Sequence, residues 1–350
     1  MTCPTAPEGR VRSGFLPDRT VHLHPLRRCN LACRHCYSLS SPRARDILSM
    51  EVLTPALRSL YDEGYEVLSL SGGEPMLYPE LEALTRYARE LGFRIVGITN
   101  GFRVTPRFDH LLDCFDGLAV SFDGMGATHD HVRGSPRAFD MAKAALRRLA
   151  EIGKPAAAAF TVSRDSLPEI PEFVEMAAAH DVRAVQLRPL VMAGRAPVAY
   201  ADPALSVADM GRLWLIGRAL AAAYEGRLSV HVDLAHARAI VADDAAWRGM
   251  LSESARLSDI VNPIVVTPDG VLKPFTFDFP AAFDLGRIED LTDGGEAGIR
   301  VAARPLKGLL AAQLADLRRR EEFIDWFAHC RDFAAALGGV VRYSPAAPCR

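Results

Sequence analysis

Residues 29–37 read Cys29-Asn30-Leu31-Ala32-Cys33-Arg34-His35-Cys36-Tyr37, and this stretch decides the fold. Three of the seven cysteines of the chain fall within eight residues, the others being Cys3, Cys114, Cys330 and Cys349. So uneven a set is not a disulfide framework, and the crowding points to metal binding or catalysis in a reducing compartment. Three thiolates spaced x3 and x2 on a short loop can cap three irons of a [4Fe-4S] cube and leave the fourth open, because iron-sulfur clusters take soft sulfur ligands. A structural zinc needs a closed set of four ligands, and only His35 lies near enough in sequence to complete one.

Outward from the cysteines, short apolar runs alternate with amphipathic stretches. The pattern predicts strands at 21–26, 66–71, 94–99, 117–121, 156–161 and 184–188, separated by helices at 50–62, 78–91, 106–112, 138–152 and 167–179. Repeated strand-helix units imply an α/β partial barrel with a parallel sheet. The alanine run at 156–159 has weak strand propensity and is placed by its position in the alternation. Unusual residues cluster after the strand ends: the cysteines, then Ser71-Gly72-Gly73-Glu74-Pro75, then Thr99-Asn100-Gly101, then Ser121-Phe122-Asp123-Gly124. In strand-helix barrels the chemistry sits at that rim. The two glycines let backbone pass close to a ligand, and Glu74 can accept from an ammonium group.

Beyond Gly194 the alternation stops. The sequence predicts a helix at 207–224, a strand at 228–232, a helix at 235–247, a hairpin of 262–267 and 271–275 turning at Asp269-Gly270, and a long helix at 305–328. The run Arg318 to Glu322 reads as a solvated helix face. The division expected is an N-terminal extension at 1–20, a core at 21–195 and an α+β C-terminal region at 196–350.

The motifs CNLACRHCY, SGGEP, TNG, SFDG and the later QLRPLVMAGRA closely resemble those of the radical S-adenosylmethionine (SAM) superfamily, in its branch with a SPASM or twitch extension. The likeness is strong over residues 20–195 and weak over 255–345. It implies a partial (β/α)6 barrel with one [4Fe-4S] cluster on Cys29, Cys33 and Cys36, and SAM as the ligand of the open iron. It further implies that Glu74 holds the SAM ammonium, that the Gly72-Gly73 backbone, with Pro75 completing the turn, holds the methionyl group, and that Tyr37 lies beside the adenine. Asn100, Ser121 and Asp123 would approach the ribose or carboxylate, Arg133 would pair with the carboxylate, and Gln186 with Arg188 would face SAM or substrate. His22 and His24 share one face of the first strand, lining the barrel or packing outside it.

The chain departs from this resemblance where Phe275 holds a place usually taken by a cysteine of an auxiliary cluster. No cysteine occurs between 114 and 330. A SPASM-like fold without auxiliary clusters is therefore expected, and with it a redox-neutral outcome: epimerisation, elimination or decarboxylation, or carbon-carbon bond formation. Cys330 is the candidate hydrogen-atom donor, with the alternative that it is a small buried hydrophobe.

The resemblance implies an enzyme of natural-product biosynthesis acting on a precursor peptide or a small polar metabolite, with an electron donor of the flavodoxin or ferredoxin type. The alternatives are a catalytically silent iron-sulfur scaffold and a zinc module. With the first strand near residue 21, neither a leader-binding nor a cobalamin domain is expected ahead of it, and a peptide substrate is expected to need a separate recognition protein or the C-terminal unit. A formal charge of −2 gives no footprint for nucleic acid, and no signal peptide or apolar run long enough for a membrane occurs, so a cytoplasmic protein is expected.

Overall fold

The computed structural model describes residues 18–200, 204–291 and 296–338. Its strands are β1 (Thr20–Leu23), β2 (Val67–Leu70), β3 (Arg94–Thr99), β4 (Gly117–Phe122), β5 (Ala156–Val162), β6 (Ala184–Pro189), β7 (Ser229–Val232), β8 (Ala235–His236), β9 (Ile264–Val266), β10 (Val271–Pro274), β11 (Gly286–Arg287) and β12 (Phe323–Ile324). The helices are α1 (Met50–Asp62), α2 (Leu81–Leu91), α3 (Asp109–Leu112), α4 (Gly126–Arg133), α5 (Ala138–Glu151), α6 (Ile170–Ala178), α7 (Ala196–Ala199), α8 (Val207–Ala223), α9 (Ala237–Val241), α10 (Asp244–Leu251), α11 (Leu257–Ile260), α12 (Glu296–Leu317) and α13 (Trp326–Gly338).

Strands β1 to β6 pair in sequence order and in parallel, forming the α/β partial barrel that the alternation predicts. The C-terminal part extends this same sheet at both sides. Strand β7 pairs parallel with β6, and β9 pairs parallel with β1 and carries the hairpin partner β10 and then β11. A separate ribbon of β8 and β12 ties α9 to α13.

Alternation along each strand divides the two faces. In β4, Leu118, Val120 and Phe122 are buried against the helices, while Ala119 and Ser121 on the other face keep accessible surface. The same period places His22, Ser69, Ala157 and Gln186 on the inner face. Small inward residues on β4 and β5 leave room inside the barrel, which explains the alanine run. Its outward members, Ala156 and Ala158, are buried.

Three expectations change in the C-terminal part. The helix expected at 235–247 is broken: Ala235 and His236 are a strand paired with Phe323 and Ile324, and α9 and α10 follow. The long helix spans Glu296–Leu317, with Pro305 inside it rather than at its start. Residues 318–322 lie in the connection to β12, where Arg320 pairs with Asp316 and Glu322, so they are not a helix face. Cys3 and Cys349 lie outside the described residues. Among the described residues no helix is long and apolar enough to cross a membrane.

Candidate active site

The cysteine loop follows β1 and is held from three sides. Its own return segment accepts from the Cys29 N–H through the Ser41 carbonyl at 3.1 Å. The Arg34 N–H donates to the Val132 carbonyl of α4 at 2.8 Å. From beyond β6, Arg195 donates through Nε to the Cys33 carbonyl at 2.7 Å and through Nη2 to the Ser40 carbonyl at 2.8 Å, while its N–H meets the Cys36 carbonyl at 3.1 Å. Gly194 makes this approach possible: it has φ +58°, and a Cβ there would lie 2.3 Å from the Cys36 carbonyl oxygen. The Gly-Arg of the AGRA segment thus clamps the loop, a role that sequence reasoning did not assign.

Gly72 and Gly73 serve a similar end. A Cβ on Gly73 would fall 1.9 Å from the Arg28 carbonyl oxygen, and one on Gly72 2.5 Å from that of Leu26. The glycines therefore let the chain after β2 pack against the backbone leading into the cysteine loop. The Gly73 and Glu74 N–H groups donate to the Leu26 and Arg28 carbonyls at 2.9 and 3.0 Å. Pro75 opens a single 3-10 turn capped by Glu74.

Glu74 is 1% exposed. Its Oε1 accepts from Thr99 Oγ1 at 2.8 Å and the Met76 N–H at 3.3 Å, and its Oε2 accepts from the Asn100 N–H at 3.0 Å. Burial pushes its carboxyl up to about 7, against these donors. Asn100 Nδ2 donates to Asn30 Oδ1 at 2.9 Å and lies 3.6 Å from Cys29 Sγ. The TNG segment therefore positions Glu74 and reaches a cysteine at once.

Asp123 and Arg133 meet each other. Arg133 Nε lies 2.5 Å from Asp123 Oδ2 and His35 Nε2 lies 2.8 Å from Asp123 Oδ1, as ion pairs rather than well-aligned hydrogen bonds. Burial disfavours the charged carboxyl of Asp123, but Arg133 and His35 outweigh it and hold the group well below the usual carboxylate range. Arg133 Nη1 is 3.9 Å from Cys33 Sγ. Ser121 faces the barrel interior one strand from Ala159 and two from Gln186.

A second polar group forms on the inner side of β6. Gln186 Nε2 donates to both carboxylate oxygens of Asp233 at 3.0 Å, and Arg188 donates to Asp233 Oδ2 from Nε at 3.1 Å. Asp325, ahead of α13, accepts through Oδ1 from the Phe327 and Ala328 N–H groups, and burial, with Asp233 nearby, pushes its carboxyl up to about 6. His22 and His24 line this interior. Burial lowers both, His22 to about 4, and His24 is fully buried with neither ring nitrogen hydrogen-bonded among the described residues. Phe277 packs on His24 at 4.9 Å and on Tyr37 at 5.5 Å. His22 and Asp325 keep some accessible surface and Tyr37 and Arg188 are exposed, so this polar group is open to solvent. A surface hollow of about 480 Å³ beside α6 and α8 is lined by Glu175, Tyr224 and Arg227 and includes none of these residues.

Two cysteines stand apart. Cys330 is fully buried between α12 and α13, where Gln313 Nε2 lies 3.1 Å from its sulfur, and burial pushes its thiol far up. Cys114 is buried in the outer core. Phe275, at φ +63°, is buried in a row with Phe279 and Phe283.

The residues fit a cluster and SAM. Cys29, Cys33 and Cys36 are free thiols on one clamped loop, with nitrogen donors aimed at two of the sulfurs. Three thiols on one loop suit three irons of a cluster, and a closed structural zinc site would need a fourth ligand. Glu74 adds a fixed acceptor beside them.

Comparison with known proteins agrees. Residues 23–177 match the family model for the radical SAM superfamily. The pre-heme d1 synthase of Dinoroseobacter shibae is 34% identical over 197 residues, 55% of this chain and 48% of that protein. The mycofactocin maturase MftC of Mycobacterium tuberculosis is 32% identical over 180 residues, 50% of this chain and 45% of that protein. The chain thus spans about half the length of the curated relatives it matches. Among solved structures, Streptococcus suis SuiB bound to S-adenosylmethionine superimposes with a TM-score of 0.64 at 16% identity, over 84% of this chain and 67% of that one. That likeness shows the fold.

Proposed function

Residues 23–177 form a radical SAM domain, and from that premise we propose that the whole chain abstracts a hydrogen atom from a peptide or a small polar metabolite and returns a product at the same oxidation level. The observation that carries this reading is the convergence of Glu74, Thr99 and Asn100 beside Cys29, which unites an ammonium acceptor and a cluster ligand in one hydrogen-bonded unit. One [4Fe-4S] cluster on Cys29, Cys33 and Cys36, with SAM, would supply reductive cleavage of a sulfonium to a 5'-deoxyadenosyl radical.

The chain's own residues do the rest. Glu74 orients an amino group, and the nitrogens of Asn100 and Arg133 stabilise negative charge on the sulfurs of Cys29 and Cys33. Asp123 neutralises Arg133, so the guanidinium enters the buried site without a net charge. Tyr37, Ser121 and Gln186 bound the same interior and are the proposed walls of the cofactor site.

The substrate end is proposed at His22, His24, Arg188, Asp233 and Asp325. Arg188 and Asp233 neutralise each other, which leaves Asp325 as the uncompensated charge. Such a site favours amine and hydroxyl groups over carboxylates. A redox-neutral outcome is supported by the absence of cysteines between 114 and 330, and by Phe275 packing into an aromatic row. MftC is named a maturase and SuiB has been solved with its precursor peptide SuiA, whereas the pre-heme d1 synthase is named for a tetrapyrrole. A peptide and a small metabolite remain equal candidates.

The test is anaerobic reconstitution, with iron and sulfide counted per chain and 5'-deoxyadenosine measured with dithionite. About four irons and SAM cleavage that is lost in Cys33→Ala support the reading. A full cluster without SAM cleavage supports a silent scaffold, about eight irons reopen oxidative chemistry, and zinc in place of iron overturns the reading.

A further inference from the structure

The chain carries a formal charge of −2, yet residues 27–46 hold five arginines, Arg27, Arg28, Arg34, Arg43 and Arg45, against one acid, Asp46. Two of the five are engaged. Arg27 pairs with Asp46 at 3.0 Å and with Asp269, and Arg34 donates to the Ala199 carbonyl at 3.1 Å. Arg28, Arg43 and Arg45 are exposed and make no ion pair among the described residues. Leu39 and Ile47, each 49% exposed, accompany them.

This surface is the outer layer of the cysteine loop. Arg28 bridges to Ser41, the Cys29 N–H donates to the Ser41 carbonyl, and the Leu39 N–H meets the Cys36 carbonyl at 3.4 Å. Leu26 bridges to Ile47 on the same ribbon. One layer of backbone therefore separates these side chains from two of the cluster ligands. Exposed apolar side chains on one ribbon with an excess of positive charge have the composition of a transient protein interface, and such charge steers a negative partner onto it.

We infer that Arg28, Arg43 and Arg45, around Leu39 and Ile47, form the docking surface for a small acidic protein that delivers single electrons to the cluster. The inference rests on the reading of Cys29, Cys33 and Cys36 as cluster ligands. With a flavodoxin as donor, the flavin hydroquinone anion loses one electron and becomes the neutral semiquinone. A cluster held by Cys29, Cys33 and Cys36 would take up that electron, and no proton would move.

The experiment compares the reconstituted wild-type protein with Arg43→Glu/Arg45→Glu and Arg43→Ala/Arg45→Ala. Affinity for oxidised flavodoxin is read by calorimetry, and 5'-deoxyadenosine formation is driven either by flavodoxin hydroquinone or by dithionite. The expected result is at least ~10-fold weaker flavodoxin binding and a matching fall in the flavodoxin-driven rate for the Glu pair, with a smaller effect for the Ala pair. The dithionite-driven rate stays at the wild-type value, and raising salt from about 0.05 to about 0.5 M weakens wild-type binding. Unchanged flavodoxin affinity in the Glu pair overturns the inference, as does an equal fall with both reductants in both pairs, which would assign the arginines to loop stability. Should dithionite fail to drive SAM cleavage in the wild type, the functional reading falls while the calorimetry still reports docking.

Discussion

The backbone N–H of Asn100 donates to Oε2 of Glu74 across 3.0 Å, joining the ends of β3 and β2 at the point where the Asn100 side chain turns to Cys29. A buried carboxylate fixed by Thr99, Asn100 and Met76 is preorganised to accept a cation. Glu74→Gln keeps the size and removes the charge. A lost charged hydrogen bond is worth about 1.5–3 kcal/mol, so SAM affinity is expected to fall roughly 10- to 100-fold. Equilibrium SAM binding to the reconstituted variant checks this, with iron content unchanged. Unaltered SAM affinity would remove Glu74 from the cofactor site.

Gly194 and Arg195 make a different prediction, about the loop rather than SAM. Gly194→Ala places a Cβ 2.3 Å from the Cys36 carbonyl oxygen and also requires φ +58° of a residue with a side chain. Arg195→Ala removes two side-chain hydrogen bonds to loop carbonyls. Both variants are expected to take up less iron on reconstitution and lose it faster to a chelator, and Arg195→Lys is expected to recover part of the loss. Iron retention equal to wild type in both variants would show that the clamp is dispensable.

The barrel and the cluster loop were legible because their signals are local. Period-two burial marks the six core strands, and the cysteines, GGEP and TNG are contiguous in sequence. Asp233 and Asp325 were not legible, since each is a single carboxylate without a motif, brought to Arg188 only by tertiary structure. The broken helix at 235–247 has the same cause: Ala235 and His236 become a strand through partners at 323 and 324. The pairing of Asp123 with Arg133 and His35 was likewise not legible, since no motif joins the three and only the fold brings them together.

Cys330 separates a packing role from a catalytic one. Its sulfur is fully buried beside Gln313. Cys330→Ala is expected to cost about 1 kcal/mol of stability and to leave SAM cleavage and product stereochemistry unchanged. Chemical denaturation reads the first, and product analysis the second. Loss of product with SAM cleavage intact would restore Cys330 as the hydrogen-atom donor.

Asp325 gives the pH prediction. Burial raises its carboxyl from 3.8 to about 6, with the Asp233 carboxylate adding to the rise and the Arg188 guanidinium and the Phe327 and Ala328 N–H groups opposing it. An acid whose folded pKa lies above its unfolded value binds more protons when folded. The native state is therefore favoured below about pH 4 and loses that advantage as pH rises to about 6. The loss is on the order of 3 kcal/mol at neutral pH. Asp325→Asn keeps an oxygen for the two N–H groups of α13 and removes the titration. Denaturation midpoints measured from pH 4 to pH 8 are expected to converge for the two proteins at the acid end and to favour the variant at neutral pH. Parallel curves would mean that Asp325 ionises normally, with a counter-charge or solvent reaching it inside the barrel. The same variant should bind an amine-bearing substrate more weakly, so stability and binding would move in opposite directions, as expected of a carboxylate kept buried for a ligand rather than for the fold.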